Sequence, residues 1–293
     1  MDEPNKIGVI ADSFRAGLEE NLLKAKQAGA DGVQLYAVSG EMDPEKLQPS
    51  DRRALVRRLD ELGLGLSALV GDFGGHGFQD AGENGRRIRQ VKRVLELAAD
   101  LGTPVVSTHI GIVPEEEGTP AYAAMQRACM ELGLYAESLG LRLAVETGPE
   151  PAARLKAFLD SLGTKGIAVN YDPANLVMVM GDDPVQGVHT LREYIVHVHA
   201  KDGIRLRPVD PRQVYGAPGF NRNSLEVDRD FAIFGPHFLE TPLGSGAVDW
   251  PSCLRALRSI GYEGYLTIER EDGVRPEVDI ANAVRFLRVL MRS

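Results

Sequence analysis

The sequence predicts one domain over residues 1–293, an α/β protein built as a single (β/α)8 barrel with a long insertion at about 203–248 after the seventh strand. Three observations carry this reading. Short β-rich runs alternate with longer segments of helical period. Eight such runs occur, and no Asn-Gly type hairpin signal joins neighbours, so parallel strands linked by helices follow. The helical segments repeatedly close on Leu-Gly or Ala-Gly, the helix-ending chemistry in which Gly takes the left-handed conformation without a Cβ penalty.

In order, the first run begins near Ile7 (IGVIAD) and leads into helical 15–28, which stops at KQAGADG. The second begins near Asp31 (DGVQLY) and precedes helix 51–62, closing on DELGLG. The third, near Leu64 (LGLSALV), precedes 84–101 and ADLGTP, and the fourth, near Pro104 (PVVSTHI), precedes 119–139 and ESLGLR. The fifth, near Leu141 (LRLAVE), is followed by 150–162 and DSLGTKG, and the sixth, near Gly166 (GIAVNYD), by 184–193. The seventh, near Tyr194 (YIVHVHAK), precedes helix 250–260 and RSIGYEG; the eighth, near Gly264 (GYLTIE), precedes 277–291. Strand starts lie 24, 33, 40, 37, 25, 28 and 70 residues apart, so every interval but the last suits one βα unit. An open doubly wound sheet is the alternative, because spacing does not show closure. The last interval is rich in Pro and aromatics (Tyr215, Phe220, Phe231, Phe234, Phe238) and reads as a lid or as a surface excursion packed on its own rings.

Composition narrows the partners. Lys and Arg number 33 against 42 Asp and Glu, a net charge of −9, which argues against sequence-independent binding to nucleic acid. Cys129 and Cys253 are the only cysteines, so no disulfide framework or Cys-rich zinc module is available. The opening MDEPNKIGVIADSF lacks a basic region followed by a long apolar run, and no stretch of about 20 apolar residues occurs; the expectation is a cytoplasmic protein with no membrane contact.

In such a barrel the chemistry sits at the C-terminal strand ends. The fifth run ends at Glu146, the sixth at Asp172, the seventh carries His197 and His199, and the eighth ends at Glu269. Three carboxylates converging in a low-dielectric mouth repel one another unless they are protonated or a cation sits among them. Taken singly, each residue has a plainer explanation: Asp172 as an N-cap before Pro173, Glu146 or Glu269 paired with Arg154 or Arg270, a His satisfied in the core. Their coincidence on four consecutive strand tips favours one divalent metal ion, Mn, Co, Mg or Zn, bound by Glu146, Asp172, His199 and Glu269. His197, two residues before His199 and on the same side of the strand, is read as packing.

The segments VETG, NYDPANLVMVMGDDP, YIVHVHAKDG and ETPLGSGAVDWPSCLRALRSIGYEGYLTIERE resemble the sugar phosphate isomerase/epimerase family, the xylose isomerase-like TIM barrels. That group includes ketose 3-epimerases, inosose-processing enzymes and, more distantly, endonuclease IV. The resemblance implies that Glu146, Asp172, His199 and Glu269 hold the ion and that Glu146 and Glu269 also exchange protons with substrate. Asn175 stands where a ketose 3-epimerase places a substrate-contacting His, and Arg205 matches a substrate-binding Arg.

Lys201 is a candidate for an anionic group, with surface pairing to Asp202 as the plainer alternative. His109 and His76 are further candidates for contacting substrate; the Gly-rich turn GDFGGHGF around His76 suits close approach of backbone to a ligand. Gly244, Ser245 and Gly246 read as a plain turn, with a phosphate cradle as the alternative. The expected function is a metal-dependent isomerase or epimerase that moves a proton next to the carbonyl of a ketose or cyclitol through a metal-stabilised enediolate. The alternatives are a dehydratase or lyase on a related keto-sugar or inosose, an endonuclease IV-like hydrolase, and a non-catalytic sugar-binding barrel. A homo-oligomer is compatible with the apolar exterior expected of the helices.

Overall fold

The computed structural model describes residues 5–221, 227, 232 and 235–292. Phe231 and Phe234 of the aromatic segment, and residues 1–4 at the start, lie outside the described residues. Eight parallel strands form the barrel: β1 (Lys6–Ile10), β2 (Gly32–Tyr36), β3 (Gly65–Val70), β4 (Val105–Thr108), β5 (Arg142–Glu146), β6 (Ile167–Tyr171), β7 (Ile195–Ala200) and β10 (Tyr265–Ile268). Pairing of β1 with β10, in register from Lys6↔Tyr265 to Val9↔Ile268, closes the sheet and excludes the open doubly wound alternative.

The surrounding helices are α1 (Leu18–Ala28), α2 (Pro49–Leu62), α3 (Ala81–Leu101), α4 (Pro120–Ser138), α5 (Ala152–Asp160), the single turn α6 (Pro173–Asn175), α7 (Pro184–Thr190), the short α8 (Pro211–Tyr215), α9 (Trp250–Ser259) and α10 (Pro276–Arg292). Their starts follow local chemistry: the side chains of Asp80, Thr119, Asp183 and Asp249 accept from first-turn N–H groups, each worth about 1 kcal/mol. Their ends follow the glycine pattern. Gly29, Gly63, Gly102, Gly140, Gly163 and Gly261 all have positive φ.

The apolar core lies between the outer face of the barrel and this ring of helices. It includes Leu35, Leu69, Leu143, Val169 and Leu266 from strands and Leu22, Leu95, Leu132, Phe158, Leu257 and Leu287 from helices. Cys129 and Cys253 are buried there as free thiols. The barrel interior is different. Gln34 of β2 donates to Ser107 of β4 at 2.8 Å and accepts from His197 and His199 of β7 at 3.0 Å each. None of these strands is a neighbour of β2, so the side chains meet through the inside of the barrel.

Residues 201–249 connect β7 to α9. They contain a ladder absent from the sequence reading: β8 (Asp202–Arg205) pairs antiparallel with β9 (Phe238–Thr241), outside the barrel. Two strands more than thirty residues apart carry no local turn signal, which is why the pairing is not legible in sequence. The loop also supplies α8, whose Val214 and Tyr215 reach the barrel mouth. A second unexpected feature is the π-turn Leu176–Met180 that continues α6; such turns are rare and recur at functional sites. Among the described residues no helix is long and apolar enough to cross a membrane.

Candidate active site

A cavity of about 520 Å³ opens at the C-terminal ends of the strands, within the size range of small-molecule sites. Glu146, His199 and Glu269 line it, and single ligand atoms from these three and from Asp172 all lie within 4.8 Å of one another, with all four residues buried. The strand tips that converge are β5, β6, β7 and β10, four successive neighbours in the closed barrel.

Three of the four members keep a buried polar atom without a hydrogen-bond partner, and Glu146 has both oxygens bonded. Asp172 caps α6: Oδ1 accepts from the N–H groups of Ala174 at 2.8 Å and Asn175 at 3.1 Å, while Oδ2 is buried with no hydrogen-bond partner. The capping explanation is therefore realised, and it occupies only one of the two oxygens. Glu146 accepts from Asn175 Nδ2 at 3.0 Å and from Asn170 Nδ2 at 3.1 Å. Glu269 Oε2 has no hydrogen-bond partner and lies 3.1 Å from His199 Nδ1 and 3.3 Å from Lys201 Nζ. His199 Nδ1 is likewise without a hydrogen bond. Its Nε2 lies 3.0 Å from Gln34 Oε1 and 3.1 Å from Asn170 Nδ2; donation to Gln34 puts a proton on Nε2, and Nδ1, facing the carboxylates, is the nitrogen that takes either a proton or a cation.

The electrostatics are set by three close carboxylates opposed by Lys201 and His199. Burial pushes the Asp172 carboxyl well above the usual range, and Glu269 and Glu146 add to the rise against Lys201 and His199. Burial alone would lower the His199 pKa, yet Glu146 and Glu269 hold it well above its ordinary value. Three unpartnered buried atoms aimed at one point, amid charge that favours a cation, fit a divalent ion bound by mixed oxygen and nitrogen donors. The alternative ion pairs are not formed: Arg154 pairs with Glu115, and Arg270 with Glu240 and Asp279.

The other sequence candidates divide. Asn175, His109 and Lys201 line the cavity, whereas His76 and Arg205 are not brought to its wall. Arg205 Nη1 donates to the Met180 carbonyl at 2.8 Å, behind Gly181. The glycine turn around His76 divides: Gly74 and Gly75 line the cavity, while Gly77 packs against the loop after β4. A Cβ at Gly111 would overlap the His76 carbonyl, and one at Gly77 would overlap the Ile110 carbonyl. Lys201 does not pair with Asp202. It lies 2.5 Å from Glu271 Oε2, 3.3 Å from Glu269 and 3.8 Å from Glu240. His197 is buried, bonded to Gln34, and kept neutral by burial, as its packing role requires.

Around His109, which the sequence offers as a candidate, stand Asp72 and Tyr215, and behind His199 stands Gln34, none of which the sequence marks as a site residue. His109 Nδ1 lies 3.0 Å from Asp72 Oδ2, while its buried Nε2 has no hydrogen-bond partner and stands 3.8 Å from Glu146. Burial opposes protonation of His109, but Glu146, Asp72 and Glu269 raise its pKa to about 9. Asp72 directly follows β3 by two residues, so the same strand-tip rule that found Glu146 covers it. Tyr215 stacks on His109 with ring centroids 5.4 Å apart. Gly148, at φ 141°, leaves room for the Tyr215 hydroxyl and for Asn175, whose Cβ would stand 2.6 Å from an added methyl. Gln34, an amide inside the apolar run GVQLY, was the available signal for the group that orients His199.

The chain matches the xylose isomerase-like TIM barrel family over residues 22–290, and it belongs to that family. It is 22% identical to an Escherichia coli (strain K12) protein provisionally named L-ribulose-5-phosphate 3-epimerase SgbU, over 99% of this chain and 97% of that one. Among solved structures it resembles a xylose isomerase domain protein from Planctomyces limnophilus, with TM-score 0.77 and 25% identity over 99% of this chain and 96% of that chain. It also resembles a D-tagatose 3-epimerase-like protein, with TM-score 0.73 and 18% identity over 98% and 97% of the two chains.

Proposed function

We propose that the protein is a divalent-metal-dependent epimerase or isomerase that moves a proton at the carbon next to the carbonyl of a hydroxy-ketone, a ketose or cyclitol derivative. The observation that carries this reading is the meeting of Glu146, Asp172, His199 and Glu269, with unpartnered atoms on three of them, beside a sugar-sized cavity that Glu146, His199 and Glu269 line. Bound there, a divalent ion supplies Lewis acidity to a carbonyl and its neighbouring hydroxyl. The chain itself supplies the proton transfers. Glu146 on β5 and Glu269 on β10 are separated by β6 and β7, so they approach a substrate from different sides. One removes the proton and the other returns it, each contributing about 10²- to 10⁴-fold. Asn170 and Asn175 fix the orientation of Glu146, and Lys201 and His199 keep Glu269 ionised. Tyr215, Val214 and Phe238 cover the cavity and limit water. The names of the relatives support a sugar substrate.

The test is incubation of manganese-loaded protein with a panel of ketoses in D₂O. Deuterium should enter at a carbon flanking the carbonyl, stop on chelation and resume on adding manganese; no incorporation across the panel contradicts the proposal. A second reading, β-elimination, is favoured by His109, whose free Nε2 faces the cavity and could protonate a leaving hydroxyl. It is recognised by loss of water and an unsaturated product in place of an epimer.

A further inference from the structure

Whether the substrate carries a phosphate is decided by two independent features of the mouth. The first is the charge of the cavity wall. Six carboxylates line it, Asp72, Glu146, Glu240, Glu269, Glu271 and Asp272, and no arginine among the described residues does. Lys201 is the one lysine on that wall, and its ammonium already lies within 4.0 Å of Glu240, Glu269 and Glu271. Even with His109, which lies 3.0 Å from Asp72, and Arg270, which pairs with Glu240, counted as cations, a divalent ion and Lys201 do not offset the six carboxylates, and a phosphate dianion would enter against the excess.

The second feature is the backbone. Loops after the last strands of such barrels commonly bind phosphate through converging N–H groups. In this chain those groups converge on the protein's own Asp202. Its Oδ2 accepts from Gly244 at 2.9 Å and Gly246 at 3.1 Å, and its Oδ1 from Gly203 at 2.9 Å and Val248 at 3.1 Å. Gly246 has no room for a Cβ, which would overlap the Asp202 carboxylate and stand 2.6 Å from Gly203 N. The turn that could have cradled a phosphate is filled by a side-chain carboxylate.

We infer that the substrate is a neutral, non-phosphorylated polyhydroxy ketone and that the site discriminates against its phosphate esters. The inference rests on the enolisation reading above and adds the substrate's charge. The experiment compares matched pairs on the manganese-loaded full chain: D-ribulose with its 5-phosphate, D-xylulose with its 5-phosphate, and D-fructose with its 6-phosphate. Both α-deuterium exchange and equilibrium binding by calorimetry are read. The expected result is exchange on a neutral member with kcat/KM at least about 100-fold above that of its ester, since like charges brought together in a site cost several kcal/mol. Exchange on an ester equal to or faster than on its free sugar overturns the inference and leaves the enolisation chemistry standing. Exchange on neither member of any pair removes the enolisation reading, and binding then decides the substrate class alone. Binding of the neutral sugars and not the esters sustains it; binding of the esters, or of neither, overturns it. A second variant locates the cause. Asp202→Ala frees the N–H groups of the turn and should bring measurable stabilisation by inorganic phosphate that the parent lacks; equal response of parent and variant removes the filled-cradle argument.

Discussion

Asp172 and Asp202 are both buried aspartates beside the barrel mouth, with exposures of 0% and 1%, and they use their oxygens in opposite ways. Asp202 spends both oxygens on four backbone N–H groups. Asp172 spends one oxygen on two N–H groups and leaves the other without a partner. A buried carboxylate that is fully satisfied holds a loop in place. One left half-satisfied, next to Glu146, Glu269 and an imidazole, costs free energy that a bound cation or a proton recovers.

The comparison can be broken most forcefully at the proton-transfer groups. Glu146→Gln and Glu269→Gln should each lower α-deuterium exchange by about 10²- to 10⁴-fold, measured by NMR, with the fold retained by circular dichroism. A smaller effect tests what orients the metal-facing nitrogen. Gln34→Leu removes the acceptor for His199 Nε2 and should weaken manganese binding by about 10- to 100-fold, the usual cost of losing a partner behind a ligand. The satisfied aspartate should respond in stability instead. Asp202→Asn removes charge-assisted acceptance from the turn and should cost about 1.5–3 kcal/mol in urea unfolding while leaving manganese affinity unchanged.

The smallest effect concerns Glu150, a buried group four residues beyond Glu146. Burial pushes its pKa from 4.5 up to about 7, against the N–H bond from Val113 and the nearby Arg154 and His109. The folded state therefore keeps a proton that the unfolded chain releases between those values. Its contribution is full below about pH 4.5 and is lost as pH rises through about 7, by at most about 3 kcal/mol. Glu150→Gln should flatten that decline in a pH series of unfolding midpoints.

The barrel was legible because its repeat is local. Each Gly stop and each apolar run lies within one βα unit, and the strand-tip rule then collects Glu146, Asp172, His199 and Glu269 without any knowledge of side-chain geometry. What escaped is set by contacts distant along the chain. The β8–β9 ladder joins Asp202 to Thr241, and the Asp202 acceptor network joins Gly203 to Val248. Gln34 reaches His199 across the barrel interior, from a strand whose sequence reads as uniformly buried. Tyr215 reaches His109 from an excursion that carries no periodic pattern. The glycines beside His76 split their roles: Gly77 serves a close approach between two loops, and Gly74 and Gly75 line the cavity that His76 itself does not reach. Arg205 was carried by resemblance, and its guanidinium is engaged by the Met180 carbonyl.

The most direct test titrates manganese into the metal-free protein and into Asp172→Asn and Asp202→Asn side by side, by calorimetry. The account predicts one ion per chain for the parent, unchanged affinity in Asp202→Asn, and a loss in Asp172→Asn of more than the roughly 10- to 100-fold expected of a residue behind the ligands. No binding by the parent, or equal affinity in Asp172→Asn, would contradict it.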